Sequence, residues 1–185
     1  MIFIGVGANL SSDKFGPPRA ACGAALEVLG SHGITIEKRS SWYHTAPVPA
    51  SEQPWYVNGV AELTTEIAPQ ELIKTLLAIE NRFGRTRTKK NAPRTIDLDL
   101  IAYGDVVLKP STKSGTPQLP HPRMAKRAFV LLPLSQLSPN WRHPDSGDHI
   151  HDLVAALPSD QKITVMDDAD GLYGTEWRLG QQPRY

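Results

Sequence analysis

The 185-residue sequence is short of several things, and each shortage closes off a class of function. It has one cysteine, Cys22, so neither an intrachain disulfide nor a cysteine-built metal centre can form. A reducing compartment is the default, and Cys22, inside an apolar helical stretch, reads as a small buried residue. No apolar run approaches membrane-spanning length, and the N-terminus lacks a basic segment leading into a long apolar one. Neither an anchor nor a secretory leader is expected, and the expected location is cytoplasmic. An excess of one charge is also missing: Lys plus Arg number 20 against 19 for Asp plus Glu, so bulk charge recommends neither nucleic acid nor membrane. The familiar phosphate-binding loop, Gly-x-x-x-x-Gly-Lys-Ser/Thr, does not occur. Gly5-Val6-Gly7-Ala8-Asn9-Leu10 opens like a dinucleotide fingerprint but lacks the third glycine. There is no kinase His-Arg-Asp or Asp-Phe-Gly set and no Gly-x-Ser-x-Gly elbow.

What the chain does have is concentrated in residues 94–101, Arg-Thr-Ile-Asp-Leu-Asp-Leu-Ile. Apolar and polar residues alternate there with the period of a β-strand. Ile96, Leu98, Leu100 and Ala102 fall on one face, and Thr95, Asp97, Asp99, Ile101 and Tyr103 on the other. Two carboxylates on one face sit roughly 7 Å apart along the strand. At an effective dielectric near 20 they repel by roughly 2 kcal/mol. A solvated edge could absorb that cost. A cation held between them would use it, and Mg²⁺, which keeps waters and accepts phosphate oxygens, suits so sparse a ligand set. Just upstream, Arg82, Arg85, Arg87, Lys89, Lys90 and Arg94 follow one another with no acid among them. Such a run alone is as readily a solvated surface as a site. Leading directly into two aspartates, it reads as half of a polyphosphate clamp, with arginines neutralising charge on a transferred group.

The rest of the chain supplies a frame. Strands are expected over residues 1–6, 34–45, 56–67 and 95–103, and helices over residues 17–29 and 69–83. The second helix carries Leu72, Leu76, Ile79 and Phe83 as its apolar stripe. Residues 46–55 hold three prolines and read as a loop. Beyond residue 124 the pattern predicts a partly helical stretch interrupted at Pro133, a short helix over residues 149–157, and a polar tail that forms a peripheral strand or none. Strand, helix, strand, strand, helix, strand is the order of a split βαβ, or ferredoxin-like, unit. The expected fold is therefore a single α+β domain: an antiparallel sheet, helices on one face, the aspartates on the other, helix-free face, and C-terminal helical additions.

Several further residues carry two readings each. Glu80 is either a surface partner of a nearby arginine or a group that orients a ligand. His121, between Pro120 and Pro122, is more readily a structural hydrogen-bonder than a base. Trp55, Tyr56 and Phe129 are core or rim aromatics unless a flat heterocycle lies among them, in which case Asn58 could read its edge. A sheet of this kind could also bind RNA through exposed aromatics. The aspartates argue against that, and the aromatic pattern of RNA-binding sheets is absent.

At these residues the sequence resembles the 6-hydroxymethyl-7,8-dihydropterin pyrophosphokinases of folate biosynthesis. The resemblance is carried by Gly7-x-Asn9-Leu10, Tyr43-x-Thr45-x-Pro47, Gln53-Pro54-x-Tyr56-x-Asn58, Ile79-Glu80-x-x-Phe83-Gly84-Arg85-x-Arg87, Pro93-Arg94-Thr95-Ile96-Asp97-Leu98-Asp99-Leu100, Leu119-Pro120-His121 and Arg127-Ala128-Phe129. It covers residues 1–157 and leaves 158–185 as an extension without a counterpart. It implies the ferredoxin-like fold and transfer of diphosphate from ATP to the pterin's hydroxymethyl oxygen, with AMP released. It implies that Asp97 and Asp99 hold two Mg²⁺ ions and that Arg85 and Arg94 act on the transferred group. It places Glu80, Arg87, Leu100, Gln118, His121 and Arg127 around ATP, and Thr45, Val48, Tyr56, Asn58 and Phe129 around the pterin, with Tyr56 and Phe129 sandwiching the ring. The implied partners are small molecules, with neither nucleic acid nor membrane, and the expected state is a monomer or at most a weak dimer. The chain departs from the family where Asn91-Ala92 stands for Trp-Gly, Pro122 for an aromatic and Thr116 for an arginine.

Overall fold

Among the described residues, five antiparallel pairings build the sheet that organises the molecule. The computed structural model describes residues 1–84, 92–110 and 117–181. Its strands are β1 (Ile2–Ala8), β2 (Thr35–Arg39), β3 (Trp42–Thr45), β4 (Tyr56–Thr64), β5 (Asp97–Tyr103) and β6 (Ile163–Met166). They run in the order β5-β1-β4-β3-β6, with β2 pairing the far half of β4. The long strand expected over residues 34–45 is divided into β2 and β3. The division falls at Ser40 and Ser41: the Ser40 N–H still donates to the Val60 carbonyl, but a side chain replaces the backbone in the return bond, and Ser41 turns away from the sheet. Ser40 Oγ accepts from the Val60 N–H, and the Ser41 N–H donates to Gln136 Oε1.

Helices α1 (Pro18–Gly30) and α2 (Pro69–Arg82) each begin on a proline, whose missing N–H costs nothing at a first helical position. The α2 stripe is buried as expected. Gly84, at φ +80°, turns the chain where a side chain would be strained. Both helices cover one face of the sheet, packing on Ile2, Ile4, Val6, Leu63, Leu98 and Leu100. Cys22 belongs to this core, and burial pushes its thiol up, away from reactivity.

The second face is not helix-free. Helices α3 (Ala128–Leu137) and α4 (Ile150–Ala155) cover part of it, closing a second core over Phe3, Val60, Ile101 and Ala102. α3 runs through Pro133 without a break: the missing hydrogen bond is outweighed by Val130, Leu131 and Leu134, all buried. The expected alternation of β5 also fails at its end. Ile4 pairs with Leu100 but Phe3 with Ala102, so a β-bulge takes up Ile101. Beyond the bulge the faces exchange. Ala102 joins the second core, while Tyr103 packs against the first and donates its hydroxyl to the Ile67 carbonyl.

The tail is docked. β6 pairs with β3, and Trp177 is buried near Phe15, which stacks on Phe83 at 3.9 Å. Arg19 holds Glu176, and Arg39 holds Asp168. No helix among the described residues is long and apolar enough to cross a membrane.

Candidate functional site

The uncovered part of the second face lies where β5, β1 and β4 run side by side. Register sets Gly7 opposite Asp97 on one side and Asn58 on the other, and Gly5 opposite Asp99 and Val60. Two glycines here leave a trough between the aspartates and Asn58. A Cβ on Gly7 would collide with the Asn58 amide oxygen, and one on Gly5 would sit 3.4 Å from the Ile101 side chain. The trough forms a recess of about 20 Å³ lined in part by Gly5, Gly7, Asn58, Asp97, Asp99 and Phe129.

Asn58, Asp97 and Phe129 also line a larger cavity of about 300 Å³. All five residues expected around a pterin (Thr45, Val48, Tyr56, Asn58 and Phe129) line it, and Arg94 and Arg127 join them. The Asn58 amide donates to Thr45 Oγ1 at 2.6 Å, which fixes which edge it presents. The Phe129 ring lies 5.3 Å beneath the Arg127 guanidinium. Trp55 stands apart, half-exposed and tilted against His44.

Charge is arranged around the two carboxylates. Arg94 donates to Asp97 at 2.5 Å. Asp99 faces Arg127 at 3.7 Å and His121 at 3.9 Å. Burial, and then the neighbouring Asp97, raise the Asp99 pKa above the ordinary value, and the surrounding cations only oppose this. His121 is pushed down, chiefly by burial, against the pull of Asp99. Its Nδ1 accepts from the Arg123 N–H at 3.2 Å, which leaves the proton of the neutral ring on Nε2, facing Asp99. Burial lowers the Arg127 pKa as well. Two like charges on one wall, one of them desolvated, describe a site that gains from a cation. Among the described residues no three His, Cys, Asp or Glu gather into a protein cage. A cation here would take its other ligands from water or a bound molecule, as Mg²⁺ does.

The residues expected around ATP are more dispersed. Gln118 and His121 line a separate cavity of about 450 Å³, together with Leu108, Met124, His143 and Leu153. Leu100 turns its side chain into the helix-side core. Glu80 is 1% exposed, which overturns its surface reading, and it accepts the Leu98 N–H at 2.8 Å, between the two aspartates. It thus holds the strand from behind. Arg85 and Arg87 lie outside the described residues, as do Asn91 and Thr116.

Asn9 and Gln53 contribute more than their place in the motifs suggested. Asn9 Oδ1 accepts the Arg94 N–H at 2.8 Å, and the N–H groups of Asn9 and Leu10 return to the Arg94 carbonyl at 3.0 and 3.1 Å. The Asn9 amide donates to the Pro54 carbonyl and to Gln53 Oε1, which also accepts from the Tyr56 hydroxyl. One asparagine thereby joins the proline-rich loop to the approach of the aspartate strand. A side-chain amide just after a buried strand was the available signal; its long-range partners were not.

Comparison with known proteins follows this geometry. Residues 3–139 match the family model described as 7,8-dihydro-6-hydroxymethylpterin-pyrophosphokinase. A protein of Synechocystis named 2-amino-4-hydroxy-6-hydroxymethyldihydropteridine pyrophosphokinase is 45% identical over 132 residues, 71% of this chain and 65% of its own length. A Pseudomonas aeruginosa protein of the same name is 39% identical over 159 residues, covering 85% of this chain and 91% of the relative. A folic acid synthesis protein of Dictyostelium discoideum is 38% identical over 109 residues, covering 59% of this chain and 16% of that longer protein.

Proposed function

The chain belongs to the 7,8-dihydro-6-hydroxymethylpterin-pyrophosphokinase family, and from that premise we propose that it moves the β,γ-diphosphate of ATP onto the hydroxymethyl oxygen of a reduced pterin, in folate biosynthesis. The observation that carries the reading is one juxtaposition. The cavity lined by Thr45, Val48, Tyr56, Asn58 and Phe129 shares Asn58, Asp97 and Phe129 with the aspartate trough, and Arg94 lines it beside Asp97. A flat, hydrogen-bonding ring and a polyphosphate would meet where those two regions join.

In this reading the pterin lies between Tyr56 and Phe129, with Asn58, oriented by Thr45, reading its edge. Asp97 and Asp99 hold the cations, two Mg²⁺ ions. Bound there, the metal supplies charge neutralisation on the phosphates and acidifies the attacking hydroxyl. Arg94 and Arg85 compensate charge on the transferred group, and Glu80, Arg87, Leu100, Gln118, His121 and Arg127 serve ATP. For Leu100 that service falls to the backbone, and for Glu80 to its hold on the Leu98 amide. A bond forms between the hydroxymethyl oxygen and the β-phosphorus. The bond from that phosphorus to the oxygen bridging to the α-phosphate breaks, AMP leaves, and the hydroxyl proton goes to solvent. Alignment of these atoms does more here than a strong base would. We read the strand order as ferredoxin-like, the chain as one domain, and the enzyme as cytoplasmic, a monomer or at most a weak dimer, without nucleic-acid or membrane partners.

The test is direct. Full-length protein incubated with ATP, Mg²⁺ and 6-hydroxymethyl-7,8-dihydropterin should yield AMP and the pterin diphosphate in equal amounts. ADP in place of AMP, or AMP formed without the pterin, would overturn the assignment.

A further inference from the structure

Gln161 lies beyond the stretch that matches the family model, in the segment that leads into β6. We propose that it is a positioning residue, clamping Arg127 and Phe129 to the opposite wall of the cavity; this rests on the reading of that cavity as the pterin site. Its Oε1 accepts the Ala128 N–H at 2.9 Å and its Nε2 donates to the Lys126 carbonyl at 2.9 Å. The two bonds grip the peptide groups on either side of Arg127. Arg127 is the N-cap of α3 and its side chain makes no capping bond, so the first N–H of the helix has no partner within the helix. Gln161 provides that partner.

The same short segment reaches the other wall. The Lys162 carbonyl accepts the Ala46 N–H at 3.0 Å, and Ile163 pairs with Thr45. Thr45 and Ala46, at the end of β3, and Arg127 and Phe129, at the start of α3, all line the cavity. Three consecutive residues of the tail, Gln161 to Ile163, therefore set the spacing between the strand that orients Asn58 and the helix that presents the aromatic ring. Arg127, the residue gripped, also faces Asp99 at 3.7 Å and covers the Phe129 ring. A small rotation at its backbone moves both contacts. Phe129 touches the pterin ring and not the atoms that exchange bonds, so its displacement acts on how well the pterin is held more than on how fast bound reactants convert.

The experiment compares wild type, Gln161→Ala and, as a neighbour on the exposed side of β6, Val165→Thr. In Gln161→Ala the KM for the pterin should rise about tenfold with kcat within about twofold, as expected for two lost hydrogen bonds that act on binding. By NMR, exchange of the Ala128 amide should quicken about tenfold, from the loss of its bond, while the Leu98 amide keeps its protection. Val165→Thr should change neither. An unchanged pterin KM or unchanged Ala128 exchange in Gln161→Ala would overturn the proposal. So would equal loosening at Leu98, which would mark a general loss of stability. If wild type forms no AMP, the diphosphate-transfer reading falls by itself, and pterin titration with amide exchange still decides the clamp.

Discussion

Asp97 and Leu98 are consecutive, and they belong to different worlds. Leu98 faces α1 and α2 in a core of aliphatic side chains, whereas Asp97 faces a trough floored by two glycines and walled by charge. On the helix face every position of the strand is filled; on the other, Gly5 and Gly7 keep it empty where Phe3, two residues earlier on the same strand, is buried beneath α3 and α4. The difference shows how one sheet combines stability with chemistry. The packed face supplies rigidity, and the open face can then carry repulsion and desolvated charge that a less firmly held strand would relax.

Three measurements sharpen or break this division. The largest effect is expected from Asp97→Ala, which should lower AMP formation by about 10³-fold, the scale of losing a main electrostatic contact to the transition state. Its melting temperature should stay close to wild type, because relief of the repulsion with Asp99 offsets loss of the ion pair with Arg94; a large drop would mean the open face carries stability after all. Next is Leu98→Ala, which should cost about 2–5 kcal/mol in denaturant unfolding, as for a buried leucine. Turnover per folded molecule should stay near wild type, and a loss matching that of Asp97→Ala would erase the distinction between faces. The smallest effect lies off both faces. The hydrogen bond from Arg19 holds the Glu176 carboxyl below its usual range. A lowered folded pKa adds stability that is present above the ordinary carboxylate range and lost as pH falls through the lowered value. The pair is partly exposed, so the gain is about 1 kcal/mol or less. Melts of wild type and Glu176→Gln should differ slightly at neutral pH and converge in acid, with AMP formation unaffected; divergence in acid would contradict the sign.

What could be read from the sequence was what depends on neighbours along the chain. Alternation put Asp97 and Asp99 together on one face, and the 3.6-residue stripe buried Leu72, Leu76, Ile79 and Phe83. Pairings between distant segments were not legible. Nothing local to Ile101 announces a bulge, since it arises from register with β1, and it is why Ala102 and Tyr103 exchange faces. The apolar character of residues 128–137 was plain, but not that it would cover Phe3 and Val60. Glu80 was ambiguous because spacing on a helix does not say whether a carboxylate meets solvent or a buried N–H. Gln161 carries no local signal at all: a polar residue in a polar tail acquires its meaning from Lys126 and Ala128, more than thirty positions away.

The pairing of β6 with β3 has a consequence for how copies of the chain behave in a crowded solution. β3 would otherwise end the sheet, presenting a row of unanswered amides and carbonyls to any extended strand that came by. The four residues of β6 occupy that row in cis, and the anchors at Arg39, Arg19 and Trp177 keep them there. The tail is in this sense a built-in competitor against self-templating, and shortening it should show first as turbidity, before any change in the catalytic rate.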